Sequence, residues 1–130
     1  MTSVPKFYRY WFYAAALYNV VWGIVVVLFT STFHQLAGVD ASVPHAFFQC
    51  IGMMVGVFAF GYYLLARNPE RYQGFIWIGL AGKTLGPIGT IFAVSSGHLA
   101  SSFLWVNLTN DIIWLPVFTM FALKYARRPV

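Results

Sequence analysis

The sequence predicts an all-α, polytopic membrane protein: one bundle of four transmembrane helices with both termini in the cytoplasm. Three observations carry that prediction. Of 130 residues, 60% are hydrophobic and only 8% are charged, where a soluble domain carries about 25% charged residues. The apolar residues fall into four runs, at 11–30, 44–66, 72–94 and 101–123, each matching the roughly 20 residues a helix needs to cross the hydrocarbon. The cations sit mostly between those runs, on one side of them. Mean hydropathy is +0.71. These features exclude most soluble enzymes, disordered proteins and free nucleic-acid binders. Residues 1–130 read as a single membrane domain with no room for a water-soluble one.

The first run follows Lys6 and Arg9, as a signal peptide would. It is too long for one and no small-residue cleavage site follows, so it reads as a retained span. The loop at 31–43 holds Gly38 and Asp40. Pro44 then opens the second helix, where its missing N–H costs least. Arg67-Asn68-Pro69-Glu70-Arg71 is a tight polar turn into the third helix, and Ser95-Ser96-Gly97-His98 separates the third from the fourth.

Lys6, Arg9, Arg67, Arg71, Lys124, Arg127 and Arg128 all fall on one side of this arrangement, and the two loops on the other side hold no Lys or Arg. Cytoplasmic segments carry the excess of Lys and Arg. The expectation is an inner (plasma) membrane protein with both ends inside. The net charge of +5 then reflects topology and anionic-lipid contact rather than nucleic-acid binding. Cys50, the single cysteine, reads as a small buried apolar side chain.

Projected on helical wheels, His45, Gln49, Gly52, Gly56 and Ala59 share one face of the second helix. Gly79, Gly82, Gly86 and Gly89 form a stripe on the third. Small residues let helix backbones approach closely, so both faces are expected to pack against protein.

Lys83 and Asp111 are the only charges inside the spans. At 1.5 Å per residue both lie about 16–18 Å from the cytoplasmic helix ends, near the midplane. A charge there costs about 2.5–3.5 kcal/mol, which predicts a Lys83–Asp111 contact, an intramembrane ion pair, with Asn110 and Asn19 meeting the remaining hydrogen-bond needs. Asn107 and Trp114 share the face of Asp111, and Trp114 is placed to wall a pocket. Pro87 and Pro116 remove hydrogen bonds to the carbonyls of Lys83 and Ile112 and so add freed acceptors. The expected ligand-binding or polar site is therefore Asn19, Lys83, Asn107, Asn110, Asp111 and Trp114, with no catalytic residue assigned. Such a pair either fixes helix register or marks function.

His34, His45 and His98 fall on the outer side with Asp40 but match no ligand spacing, so no metal is predicted. Asn107-Leu108-Thr109 is a glycosylation sequon by letter only, since it lies within a span. Walker, dinucleotide, paired-cysteine and HExxH motifs are absent.

Tyr18-Asn19-Val20-Val21-Trp22-Gly23, Gly82-Lys83-Thr84-Leu85-Gly86-Pro87 and Asn110-Asp111-Ile112-Ile113-Trp114 resemble segments of the small four-helix bacterial membrane proteins of the DoxX-like kind. That resemblance implies a small inner-membrane accessory or redox-associated protein, and it supplies no catalytic residue. The expected function is an accessory or lipophilic-ligand-binding subunit. No cofactor is predicted, although a quinone or other lipophilic ligand suits the site. The expected partners are the lipid bilayer and further membrane subunits, either copies of the chain or a larger complex, and not nucleic acid. Two alternatives stay open: an oligomeric proton- or ion-coupled transporter switched by Lys83 and Asp111, and an enzyme using them as base and acid on a lipid-soluble substrate.

Overall fold

The computed structural model describes residues 3–126. Arg127 and Arg128, which contribute to the expected orientation, lie outside the described residues. Within that range the chain is all helix and turn, with α1 at Lys6–Leu28, α2 at Thr30–Ala37, α3 at His45–Arg67, α4 at Pro69–Tyr72, α5 at Phe75–Ser95, α6 at Leu104–Asn110 and α7 at Leu115–Tyr125. Short 3-10 turns at Ser101–Phe103 and Ile112–Trp114 flank α6. Four stretches are long and apolar enough to cross a membrane: Lys6–Leu28, His45–Arg67, Phe75–Ser95 and Ser101–Tyr125.

The boundaries differ from the sequence expectation in instructive ways. Helix α1 begins at Lys6 rather than at 11, because Arg9 is part of the structure and not only of the flank. Its guanidinium donates to the carbonyls of Ala66 (2.9 Å) and Arg67 (3.1 Å), which end α3 without intrahelical partners. The loop expected at 31–43 contains α2. The bend before it falls at Phe29 (φ −121°, ψ 45°), and Thr30 Oγ1 donates back to the Val26 carbonyl at 2.7 Å. Helix α2 stops at Gly38, whose φ of +71° suits glycine; a Cβ there would also collide with Ser102 Oγ. In the polar turn, Asn68 Oδ1 accepts from the Arg71 N–H at 3.1 Å with Pro69 in the first turn of α4. Helix α5 therefore starts at Phe75 rather than at 72.

Helices α1 and α3 form the tightest pair. A Cβ on Gly23 would lie 2.8 Å from the Gly52 carbonyl, and one on Gly52 would lie 3.0 Å from Val27. The second half of the chain, α5 with α6 and α7, packs against this pair less closely. The four spans alternate in direction, so the two ends of the bundle are distinct. At one end Tyr8 meets Phe121 and Tyr125, Arg9 meets Ala66, and Trp77 Nε1 donates to the Ala126 carbonyl. At the other end Ser102 Oγ donates to the Ala37 carbonyl, and Phe33, Phe48 and Phe103 pack together.

Each end has its own apolar core. Phe12, Tyr62, Leu65, Ile76, Phe118 and Phe121 are fully enclosed at the basic end, and Val26, Phe33 and Phe48 fill the opposite end. Outside, large apolar side chains such as Leu17, Leu28, Val57, Phe60 and Phe92 are exposed. A water-facing monomer rarely carries so continuous an apolar surface, whereas hydrocarbon suits it.

Two packing expectations need correction. The glycine stripes do not pack uniformly. Gly52, Gly79 and Gly86 meet Val26, Tyr62 and Asp111, but space is open beside Gly56 and Gly89. Gly56 opens instead on a groove between α1 and α3 lined by Val20, Ile24 and Met53, and a wheel drawn for one helix cannot see where its neighbour stops. Cys50 is exposed on the outer face of α3 rather than buried, which lipid tolerates as readily as a core does.

Candidate functional site

The fourth span does not run through as one helix. Pro116 lacks an N–H, so the helix cannot continue normally past it, and it sits instead in the first turn of α7. The break falls at Asp111 (φ −123°, ψ −58°) and the following turn is 3-10. The Trp114 N–H reaches the Asp111 carbonyl at 3.2 Å, one residue short of its α-helical partner. The Asn110 carbonyl, which the Trp114 N–H would otherwise occupy, is thereby freed. Lys83 Nζ donates to that freed carbonyl. The Thr109 carbonyl is taken in turn by Trp114 Nε1 at 3.0 Å.

This corrects the predicted Lys83–Asp111 ion pair. Both side chains are buried, at 4% and 5% exposure, and they share a level in the bundle. Lys83, however, bonds the Asn110 backbone, and the Asp111 carboxylate takes two amide donors instead: Asn107 Nδ2 at 2.9 Å and Asn110 Nδ2 at 3.2 Å. Asn110 stands between the two charges, its main chain on one and its side chain on the other. The sequence shows the depth of each charge but not the helix break that offers lysine a carbonyl.

The ammonium is also ringed by aromatic faces. Tyr62, Trp114 and Phe118 have ring centroids 5.6, 5.9 and 6.0 Å from Lys83 Nζ, within the range of cation–π attraction. Gly86 makes room for the carboxylate opposite, since a Cβ there would lie 3.1 Å from Asp111 Oδ2.

Next to these groups lies a cavity of about 320 Å³, at the lower end of the 300–1,000 Å³ typical of small-molecule sites. Lys83, Asn107, Asn110 and Asp111 line one part of it, and Asn19, Thr90 and Tyr62 add polar groups. Trp22, Phe48, Ile51, Val55, Phe58 and Phe103 supply apolar wall, reaching toward the end opposite the cations.

The site residues expected from sequence thus divide. Lys83, Asn107, Asn110 and Asp111 come together as a connected group. Asn19 lines the same cavity from α1, but its Nδ2 donates to the Val55 carbonyl at 3.3 Å and not to the charges. Trp114 is not part of the cavity wall. It lies in the apolar core beneath Lys83, held edge to face against Trp11 at 5.2 Å. The Ile112 carbonyl is not left free either, because the Leu115 N–H takes it in the 3-10 turn. Helix α5 passes through Pro87 without interruption, so the break belongs to the fourth span and not the third. Sequence reasoning missed Tyr62, Thr90, Trp22 and Phe58. Tyr62 and Phe58 were legible as members of the helical face that also holds Val55.

At the far end, His34 and His45 stack edge to face with centroids 4.8 Å apart. Burial, together with His45, holds the His34 pKa below the ordinary imidazole value. Hydrogen bonds from Ser42 hold the Asp40 carboxyl below the usual carboxylate range. Among the described residues no three His, Cys, Asp or Glu side chains gather as a metal site would require.

Fold and cavity together define a class: a small helical membrane protein with an enclosed polar group beside an apolar chamber. Comparison with protein-family models, with characterised proteins and with solved structures finds no match for this chain.

Proposed function

We propose that the protein binds a lipophilic small molecule in this cavity, as an accessory subunit of an inner-membrane assembly, with both termini in the cytoplasm. The observation that carries the reading is the pairing of apolar walls with a fixed polar group at one depth. Lys83, Asp111 and their asparagines present charge and hydrogen bonds, while Trp22, Phe48 and Phe58 present apolar surface. Ligand sites in membrane bundles combine a few placed polar groups with an apolar lining in this way. Oriented as proposed, Lys6, Arg9, Arg67, Arg71 and Lys124 face the cytoplasm. The redox association implied by the DoxX-like resemblance belongs to the same reading.

The test is extraction. Protein purified in mild detergent is denatured in organic solvent, and the released molecules are identified by mass spectrometry. A lipophilic compound recovered from wild type and lost from Gly86→Leu, which drives a side chain at Asp111, supports the reading. Equal recovery from both variants refutes it.

A second reading, coupled transport, draws on one specific observation. The fourth span is broken near its middle, beside charged groups, as spans are at the coupling sites of secondary transporters. Ion- or proton-driven uptake by reconstituted vesicles, abolished in Asp111→Asn, would favour it over simple binding.

A further inference from the structure

The buried polar atoms around the cavity are unevenly satisfied. Asn19, Asn107 and Asn110 each have Nδ2 engaged, with the Val55 carbonyl, Asp111 Oδ2 and Asp111 Oδ1 respectively. Each of the three has a buried Oδ1 with no partner. The amide orientations follow from those bonds. Exchanging oxygen and nitrogen in any of them would set oxygen against an acceptor. Three carbonyl oxygens are therefore left over, all on side chains that line one cavity. Leaving a buried acceptor unpaired costs free energy that a donor brought into the cavity recovers. Lys83 and Asp111 offset each other in charge, so the wall does not call for a net charge on the occupant.

We infer that the polar end of the ligand is an uncharged hydrogen-bond donor: a hydroxyl carried on a lipid-soluble body, as in a long-chain alcohol or an alkylphenol. This rests on the ligand-binding reading above and narrows it. The Oδ1 atoms are closed off from the cavity surface, so the hydroxyl meets them when the wall moves to admit it. Tyr62, whose hydroxyl either gives or accepts, stands in the same lining. A head that only accepts hydrogen bonds, such as a ketone or an ether, leaves all three oxygens unmet. Sites built around a hydroxyl discriminate strongly against the analogue that lacks it.

The experiment compares 4-heptylphenol with 4-heptylanisole, which share an apolar body and differ in the donor. Binding of each to the purified full-length protein is measured by titration calorimetry in one detergent, with empty micelles as the reference. The expected result is binding of the phenol about tenfold or more tighter than the ether, or about 1.4 kcal/mol. Asn19→Leu, which removes one acceptor and leaves the Lys83 and Asp111 contacts in place, is expected to shrink that ratio. If both probes bind equally to wild type, the donor inference is overturned while the cavity remains a ligand site. If neither binds, the ligand-binding reading falls with it and the cavity holds only water. A ratio that persists unchanged in Asn19→Leu overturns the assignment to these oxygens. Should that variant fail to fold, the wild-type ratio decides alone.

Discussion

Replacing Lys83 by methionine is the sharpest probe of the broken helix. Methionine keeps most of the apolar stem and removes the ammonium. The Asn110 carbonyl then has no donor, which costs about 1–3 kcal/mol when the group is buried. Attraction to the faces of Tyr62, Trp114 and Phe118 is also lost, about 0.5–2 kcal/mol in all. Against these stands the desolvation penalty of a buried ammonium, which vanishes with it. The net expectation is a destabilisation smaller than the summed losses of about 1.5–5 kcal/mol. Asp111→Asn keeps the volume but turns one accepting oxygen into a donor, stranding Asn107 or Asn110 Nδ2, again about 1–3 kcal/mol. Because Asn110 bridges the two charges, the double variant should recover about 1 kcal/mol of the summed losses. The assay is reversible unfolding in mixed micelles, followed by tryptophan fluorescence, as a double-mutant cycle. Coupling below about 0.5 kcal/mol would mean the charges are independent and the bridge is not real. Coupling of about 3 kcal/mol or more would mean a direct buried pair, and the carbonyl contact would be wrong.

Further outcomes follow from other contacts. Gly23→Leu should part α1 from α3, since a Cβ there already meets the Gly52 backbone at 2.8 Å, and should cost about 1–3 kcal/mol in the same unfolding assay. Gly56→Ala, inside α3 and beside open space, should leave stability unchanged or raise it by up to about 1 kcal/mol; a large loss there would contradict the packing. Arg9→Lys should lose the paired contact with the Ala66 and Arg67 carbonyls, and faster amide exchange over the last turn of α3 is the readout. His34 has a folded-state pKa below its unfolded value. The unfolded chain therefore binds the proton first, so this contribution is complete above the ordinary pKa of about 6.5 and is lost as pH falls from there through the folded value. Acidification should loosen the α2 end in wild type and not in His34→Phe, read by exchange at Ala37 and Val39.

Much of the architecture was legible because it depends on run length and charge placement. Four spans need only hydropathy, and the gathering of Lys6, Arg9, Arg67, Arg71 and Lys124 at one end needs only alternation. The shared depth of Lys83 and Asp111 followed from a rise per residue. What stayed hidden was backbone chemistry. Pro116 was visible as a helix breaker, but the break propagates back to Asp111, and the freed acceptor is on Asn110. Side-chain arithmetic paired lysine with aspartate because it counts charges and not released carbonyls. Helix α2 was hidden for a related reason. Thr30 and Phe29 set a bend that polar composition presents as a loop. Asn19 does line the cavity, yet its partner is the Val55 carbonyl, a group that no letter of the sequence advertises.

The close seam between α1 and α3, sealed by glycine against glycine at one level and by Arg9 over the last carbonyls of α3 at another, bears on the order of assembly. A membrane chain emerges from its amino end, and this hairpin holds within itself every contact that joins its two helices. It is able to consolidate before α5 leaves the ribosome. Lys83 and Asp111 both belong to the later half, as do Asn107 and Asn110, so the costly groups enter the membrane against a surface already built. The chamber they close lies on the boundary between the early and the late hairpin.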